Sequence, residues 1–291
     1  MKVTTNASRL VTQIVVGEVW PPLSDRNGFR VDANGQAFFL PGMGGVTLGV
    51  HCGDIATRLL GDHVEPGLSV RSAKESVNYA LQFLTCIGNI VTVMSGPSAG
   101  KQGFVIGQHA YVLVDMPEED MAQVTTGDQV SIRAVGQGLR LLDHDNIHIK
   151  NLSPELLEGL AGGTNSSGAL DIHVARIIPP EAIGAGSGMV SEYANTDLMG
   201  TYPDLDSSFS LGLEDLRIGD VVAMIDQDHS FGRGYREGWI SIGIISTGSA
   251  SLFGHGPGPS TIMSGPADAF NVILDENSNI KFLADLLKVK S

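Results

Sequence analysis

Gly219-Asp-Val-Val-Ala-Met-Ile-Asp226-Gln-Asp228-His229-Ser-Phe-Gly-Arg233-Gly-Tyr235-Arg236-Glu-Gly-Trp239 leads into the apolar run Ile240 to Ile245, and Gly254-His255-Gly-Pro-Gly258 follows shortly after. Val221 to Ile225 reads as a buried strand that delivers Asp226, Asp228 and His229 into a glycine-rich turn. Trp239 to Ser246 reads as a second strand running back. Two strands joined by such a turn predict an antiparallel pair. The loop that follows presents His255 between glycines. Acids, histidines and arginines this close together mark a candidate site.

Outside this stretch, glycine dominates the punctuation, with 37 residues. Frequent glycine favours many turns and short strands, because it supplies the positive φ that tight turns require. Leu10 to Val19, Ala110 to Asp115, Gln129 to Val135 and Leu170 to Ile178 read as strands. Arg30 to Leu40 reads as a hairpin, and Val46, Leu48, Val50 and Cys52 alternate with strand period. Helices are few. Ser72 and Glu75 fit a capping box at the start of one helix, with Gly88 as its stop. Ser153-Pro154 opens another, and Asn279 to Leu287 a last one. Gly162 to Gly168 is the best linker candidate, which divides the chain into 1–163 and 164–291. The expected fold class is α+β and strand-rich: a β-barrel-like N-terminal part and a smaller mixed β C-terminal part.

The formal net charge of −14 repels a phosphate backbone, so no nucleic-acid partner is expected. No apolar stretch is long enough to span a bilayer. The start, Met1-Lys-Val-Thr-Thr-Asn6, lacks the apolar core of a signal peptide. A soluble, cytoplasmic protein is expected. Cys52 and Cys86 lack metal or disulfide spacing and read as buried thiols. Asn89 to Gly107 resembles the KOW-type hairpin of small SH3-like barrels. That resemblance implies RNA or ribosome contact, but the acidic balance favours a barrel corner. Apolar strands with many loops leave edges that a homo-oligomer could cover.

A second polar concentration is Gly61-Asp62-His63-Val-Glu65-Pro-Gly67, with His51 and Asp54 upstream. Hydrolytic metal sites use two or three His, Asp or Glu ligands and leave a position for water. The expectation is that the two loops converge on a divalent metal ion. Asp62, His63, Glu65, Asp228 and His229 are the candidate ligands, with Asp226 and His255 as catalytic acid or base. Arg233, Arg236 and Tyr235 would hold an anionic small molecule, since guanidinium binds oxyanions bidentately. Adjacent residues of an extended chain point to opposite sides, so Asp62 and His63 can serve one site only if the loop bends. The alternative is a non-catalytic binding or assembly module in which the acids and arginines form a salt-bridged polar core. Asp128 and Asp220, each after glycine at a strand entry, read as structural. His109, His144, His148 and His173 sit singly near strands and read likewise. The polar stretch Ser191 to Ser210 reads as a surface excursion.

Gly61-Asp-His-Val-Glu-Pro-Gly-Leu-Ser69, Asp226-Gln-Asp-His-Ser-Phe-Gly-Arg233 and Gly254-His-Gly-Pro-Gly258 together resemble a prokaryotic family catalogued as domain of unknown function 4438. The resemblance extends over nearly the whole chain and implies a mixed α/β, strand-rich protein with N- and C-terminal parts. It brings no activity. A looser similarity to acetamidase/formamidase enzymes rests on Gly-Asp and His-rich turns and implies amidase-like hydrolysis.

Overall fold

A computed structural model describes residues 3–23, 30–31, 34–186, 196–199, 212–232, 234–250 and 255–285. In the N-terminal half the strands are β1 (Gln13–Val19), β2 (Arg30–Val31), β3 (Ala37–Phe38), β4 (Val46–Thr47), β5 (Gly67–Arg71), β6 (Ile90–Val93), β7 (Gln102–Gln108), β8 (Val112–Asp115), β9 (Gln129–Ala134) and β10 (His148–Ile149). The helices are α1 (Glu75–Leu84), α2 (Glu118–Met121) and α3 (Pro154–Leu160). Strands run in the order β1-β9-β6-β7-β8-β5, and β5 pairs back onto β1 at Glu18–Arg71 and Val19–Val70. This closes an antiparallel barrel and removes its free edges.

The inward side chains are mostly small and β-branched. Val19, Val70, Val91, Val93, Val105, Val112, Val114, Val130 and Ile132 share one cluster with Leu81 of α1 and Met121 of α2. On β7 and β8 the strand period splits the residues between two cores. Val105, Val112 and Val114 face the barrel interior. Phe104, Ile106 and Leu113 belong instead to a larger cluster with Ile242, Ile244, Ile262 and Met263. The barrel wall is therefore also the floor of the second part.

That second part holds β11 (Ala161–Thr164), β12 (Leu170–Val174), β13 (Arg176–Ile178), β14 (Ile183–Gly186), β15 (Thr196–Leu198), β16 (Val221–Gln227), β17 (Tyr235–Thr247), β18 (Gly258–Pro266) and β19 (Phe270–Leu274). A mixed five-stranded sheet runs β10-β18-β17-β16-β13, with β13 parallel to β16 and the other pairs antiparallel. A three-stranded sheet runs β11-β12-β19. Strand β10 comes from the N-terminal half, so the two parts share a sheet. They also approach closely: a Cβ on Gly107 would lie 2.2 Å from the Ser246 Cβ.

The strand-rich α+β class, the N-terminal barrel and the mixed C-terminal sheet match the expectation. The KOW-like hairpin is the β6–β7 corner of the barrel, and its Lys101 pairs with Asp120 at 2.8 Å. Four local readings change. Gly162 to Gly168 is a hairpin rather than a linker: β11 pairs with β12, and Asn165 Oδ1 accepts from the Ser167 and Ala169 N–H groups in the turn. Leu170 to Ile178 is divided between two sheets. The strand expected over Val46 to Cys52 is two residues long, Val46–Thr47, and the chain turns at Leu48 and Gly49. Helix α1 starts at Glu75 without a side-chain cap, and Asn78 accepts from the Ser72 N–H instead. Ser153 does cap α3, accepting from the Leu156 N–H. Asp128 and Asp220 each hold a turn through backbone N–H groups, those of Thr125 and Arg217. Among the described residues no helix is long and apolar enough to cross a membrane.

Candidate metal centre

Loop 61–66 connects the N-terminal excursion to barrel strand β5. It is pinned from both sides by backbone bonds: Asp62 N–H to Pro41 C=O, Glu65 N–H to Gly42 C=O, and Gly248 N–H to Val64 C=O. Approach is so close that a Cβ on Gly42 would lie 1.8 Å from the Asp62 carbonyl oxygen. His63 sits at φ 51, a left-handed conformation rare for a residue with a side chain. This is the bend that sequence alone left open. It lets Asp62 fold back onto its neighbour, and His63 Nδ1–H donates to Asp62 Oδ1 at 2.8 Å.

The other side of the site comes from the loop entering β18. His255 and Ala250 exchange backbone bonds, while Gly256 N–H reaches Leu198 C=O and Leu198 N–H reaches Pro257 C=O. These bonds lay β15 beside His255, so Asp197 arrives from the chain segment adjacent to it. His63 Nε2 and His255 Nδ1 are 2.7 Å apart and share a proton. Asp197 Oδ2 lies 3.6 Å from the same His255 nitrogen. Ligand atoms of His63, Asp197 and His255 all fall within 4.8 Å of one another. Asp197 is 5% exposed, and its Oδ1 has no hydrogen-bond partner.

A buried ion pair supports this group from below. Glu65, fully buried, accepts from His109 Nδ1 at 2.8 Å, from Ser69 Oγ at 2.7 Å and from the Gly44 N–H at 2.8 Å. The His109 ring stacks on that of His63, with centroids 5.6 Å apart. Burial works against a charged His109, but the hydrogen bond and charge of Glu65, helped by Asp197 and Asp62, raise its pKa above the ordinary value.

The structure distributes the residues expected from sequence as follows. Loop 61–66 meets the loop that carries His255, through His63, and not the turn that carries Asp228 and His229. Asp62 lies behind His63, and both Glu65 oxygens are occupied by other donors. Asp228 instead accepts from Arg236 at 2.9 Å and from the Ser230 N–H, and this pairing outweighs its desolvation, so its carboxyl titrates below the usual range. His229 is buried against Thr261, 2.7 Å from its Nδ1. Asp226 sits with left-handed backbone at the register shift between Ile225 and Gln227 in β16 and accepts from the Gly238 N–H. Arg236 also stacks 3.8 Å over Trp239, and Tyr235 is exposed. Arg233 lies outside the described residues. Neither Asp228 nor His229 belongs to the ligand group of His63, Asp197 and His255. Asp197 belongs to the stretch 191–210 that reads as a surface excursion, yet it is buried at the site, whereas His109 keeps the structural role its sequence position suggests, bonded to Glu65. Their partners are far away in sequence, and no local pattern announces them.

A separate imidazole clamp lies beside a cavity of about 840 Å³. His51 Nδ1 bonds Asp115 at 2.7 Å and His51 Nε2 bonds Glu118 at 2.6 Å. The Asp115 hydrogen bond, opposed by burial and assisted by Glu118, pushes the His51 pKa up to about 9 from 6.5. A folded-state pKa above the unfolded one stabilises fully below pH 6.5, and the contribution is lost as pH rises through about 9. Screening of this partly exposed group reduces the effect to on the order of 2 kcal/mol. Urea unfolding at pH 6 and pH 9.5 is expected to show that loss in the parent protein, with a clearly smaller pH dependence in His51→Gln. The neighbouring Cys52 thiol is pushed up by burial and by Asp115, and burial pushes Cys86 up to about 12. Neither cysteine has the lowered pKa of a nucleophile.

Barrel, mixed sheet and a carboxylate-backed histidine pair at their junction define a two-part, strand-rich protein with a metal-ligand-like centre. The family profile described as domain of unknown function (DUF4438), N-terminal, matches residues 29–158, and the C-terminal profile of the same family matches residues 161–284. The chain belongs to the DUF4438 family. A solved structure, the crystal structure of TM1086, is similar at a TM-score of 0.88 and 38% identity, covering 98% of this chain and 99% of that one. No curated protein matches. These matches do not show the acetamidase/formamidase likeness.

Proposed function

We propose that the protein is a divalent-metal-dependent hydrolase of small molecules, with His63, Asp197 and His255 as the ligands. The carrying observation is the convergence of two imidazole nitrogens and one carboxylate within 4.8 Å. Ligands about 2.0–2.1 Å from a tetrahedral zinc lie about 3.3 Å from one another. The observed separations of 2.7 and 3.6 Å bracket that value. The proton shared by His63 and His255 stands where a cation would bind, and metal binding commonly displaces such protons.

Asp62 supports this reading further. By accepting from His63 Nδ1–H it fixes the tautomer that leaves Nε2 free to ligate, as second-layer carboxylates do for metal-bound histidines. The Glu65–His109 pair holds the His63 ring in place. Three protein ligands leave a coordination position for water, whose pKa a bound zinc lowers to about 7. Hydroxide made there would attack a carbonyl or phosphoryl centre. An alternative module stabilised by salt bridges is favoured by one observation, the Asp228–Arg236 pair stacked on Trp239.

Elemental analysis of protein purified without chelator tests the proposal. About one divalent metal per chain is expected, lost in His63→Ala and in Asp197→Ala but kept in Asp228→Ala. Metal-dependent turnover would then be sought among amides, lactones and phosphoesters. A protein that retains no metal after incubation with zinc, manganese or iron, or a His63→Ala variant that binds it normally, would overturn this reading.

A further inference from the structure

The N-terminal segment crosses over the end of the barrel and closes against the loop following β9. Asn6 holds it there, its Oδ1 accepting from the Arg140 N–H and its Nδ2 donating to the Gly138 carbonyl. Leu142 N–H adds a bond to the Thr4 carbonyl. Between segment and loop lies a concavity of about 530 Å³. It shares no lining residue with the metal-ligand group.

The charge of this concavity opposes that of the molecule. Arg9 and Arg140 line it, and no Asp or Glu does, although the chain carries a net charge of −14. Four other described arginines pair with acids, Arg133 with Glu155, Arg176 with Asp215, Arg217 with Asp220 and Arg236 with Asp228, and Arg71 lies over the Trp20 ring. Among the described residues, Arg9 and Arg140 have no acidic partner.

The backbone offers a second, independent observation. Gly136 and Gly138 both have positive φ, at 139° and 81°. Among the described residues, the N–H groups of Gly136, Gln137 and Gly138 make no backbone–backbone hydrogen bond, while Leu139 N–H closes the turn onto the Gly136 carbonyl. Consecutive free N–H groups in a glycine turn are a recurrent oxyanion cradle. Guanidinium groups supply paired donors to the same chemistry. Apolar surface from Leu10, Val11 and Leu84 flanks these donors.

We propose that this concavity binds a phosphate monoester carrying an apolar group. Two guanidinium groups and up to three backbone donors exceed what the two oxygens of one carboxylate can accept, whereas a phosphoryl group presents three oxygens and close to two charges. The apolar wall accounts for the remainder of the ligand. The site is independent of the hydrolase reading.

Calorimetric titration of the full chain with phenyl phosphate, inorganic phosphate and benzoate tests the proposal. Phenyl phosphate is expected to bind most tightly, inorganic phosphate more weakly, and benzoate weakest. Arg9→Ala and Arg140→Ala should each weaken phenyl phosphate at least about tenfold, with melting temperature unchanged because both side chains are exposed. His63→Ala should leave this binding intact even if it removes the metal, which separates the two readings. Absence of phenyl phosphate binding, equal binding of benzoate, or unchanged affinity in both arginine variants would each overturn the proposal.

Discussion

Glu65→Ala is expected to destabilise the protein by roughly 3–5 kcal/mol, the cost of removing one member of a buried ion pair. The carboxylate is fully buried and accepts from three donors: His109, Ser69 and the Gly44 backbone. Alanine strands all three. His109 must then give up its charge or keep it unpaired, and either outcome costs free energy. Glu65→Gln retains one acceptor oxygen and most of the volume, so its loss should be clearly smaller. Urea unfolding of the two variants measures the difference. A loss below about 1 kcal/mol in Glu65→Ala would mean that the loop does not depend on this pair.

Gly67→Ala is expected to cost about 2–5 kcal/mol. Gly67 has φ +67, and a Cβ there would lie 2.0 Å from the Val114 carbonyl oxygen. Left-handed backbone costs a residue with a side chain about 1–2 kcal/mol, and overpacking adds about 1–3 kcal/mol. The clashing atom belongs to the backbone of a barrel strand, so no rotamer change relieves it. Gly127→Ala separates the two contributions. Its φ is +91, but nothing lies within 4 Å of the added carbon. Gly127→Ala should therefore show only the conformational part, and thermal unfolding of both variants compares them directly. Equal losses would show that the barrel absorbs the clash.

Both substitutions act on the same few residues, because loop 61–66 serves fold and site together. Gly67 turns the chain into the barrel. Glu65 anchors the loop to the barrel through His109. His63 then extends from a loop held by backbone bonds on both sides. A site supported in this way is held in position by the scaffold, which a metal centre requires.

The amino-acid sequence by itself determined the strand-rich class, the barrel corner at the β6–β7 hairpin, the capped start of α3 and the antiparallel pair β16–β17. Each of these rests on local signals: glycine turns, a Ser-Pro cap, or apolar runs with strand period. It also marked His63 and His255 as candidate site residues, since polar groups in glycine-flanked loops have little core to enter. The tertiary structure decided what joins them. Asp197 reaches His255 only because β15 is bonded alongside the 255–257 loop, and His109 reaches Glu65 only because the barrel closes. Asp228 and His229 had the same local appearance as His63, yet their own strands supply partners in Arg236, Ser230 and Thr261. Local sequence reports which side chains are available. Contacts between residues 44 to 192 positions apart, as between Glu65 and His109 or His63 and His255, depend on strand register and barrel closure, which no single segment encodes.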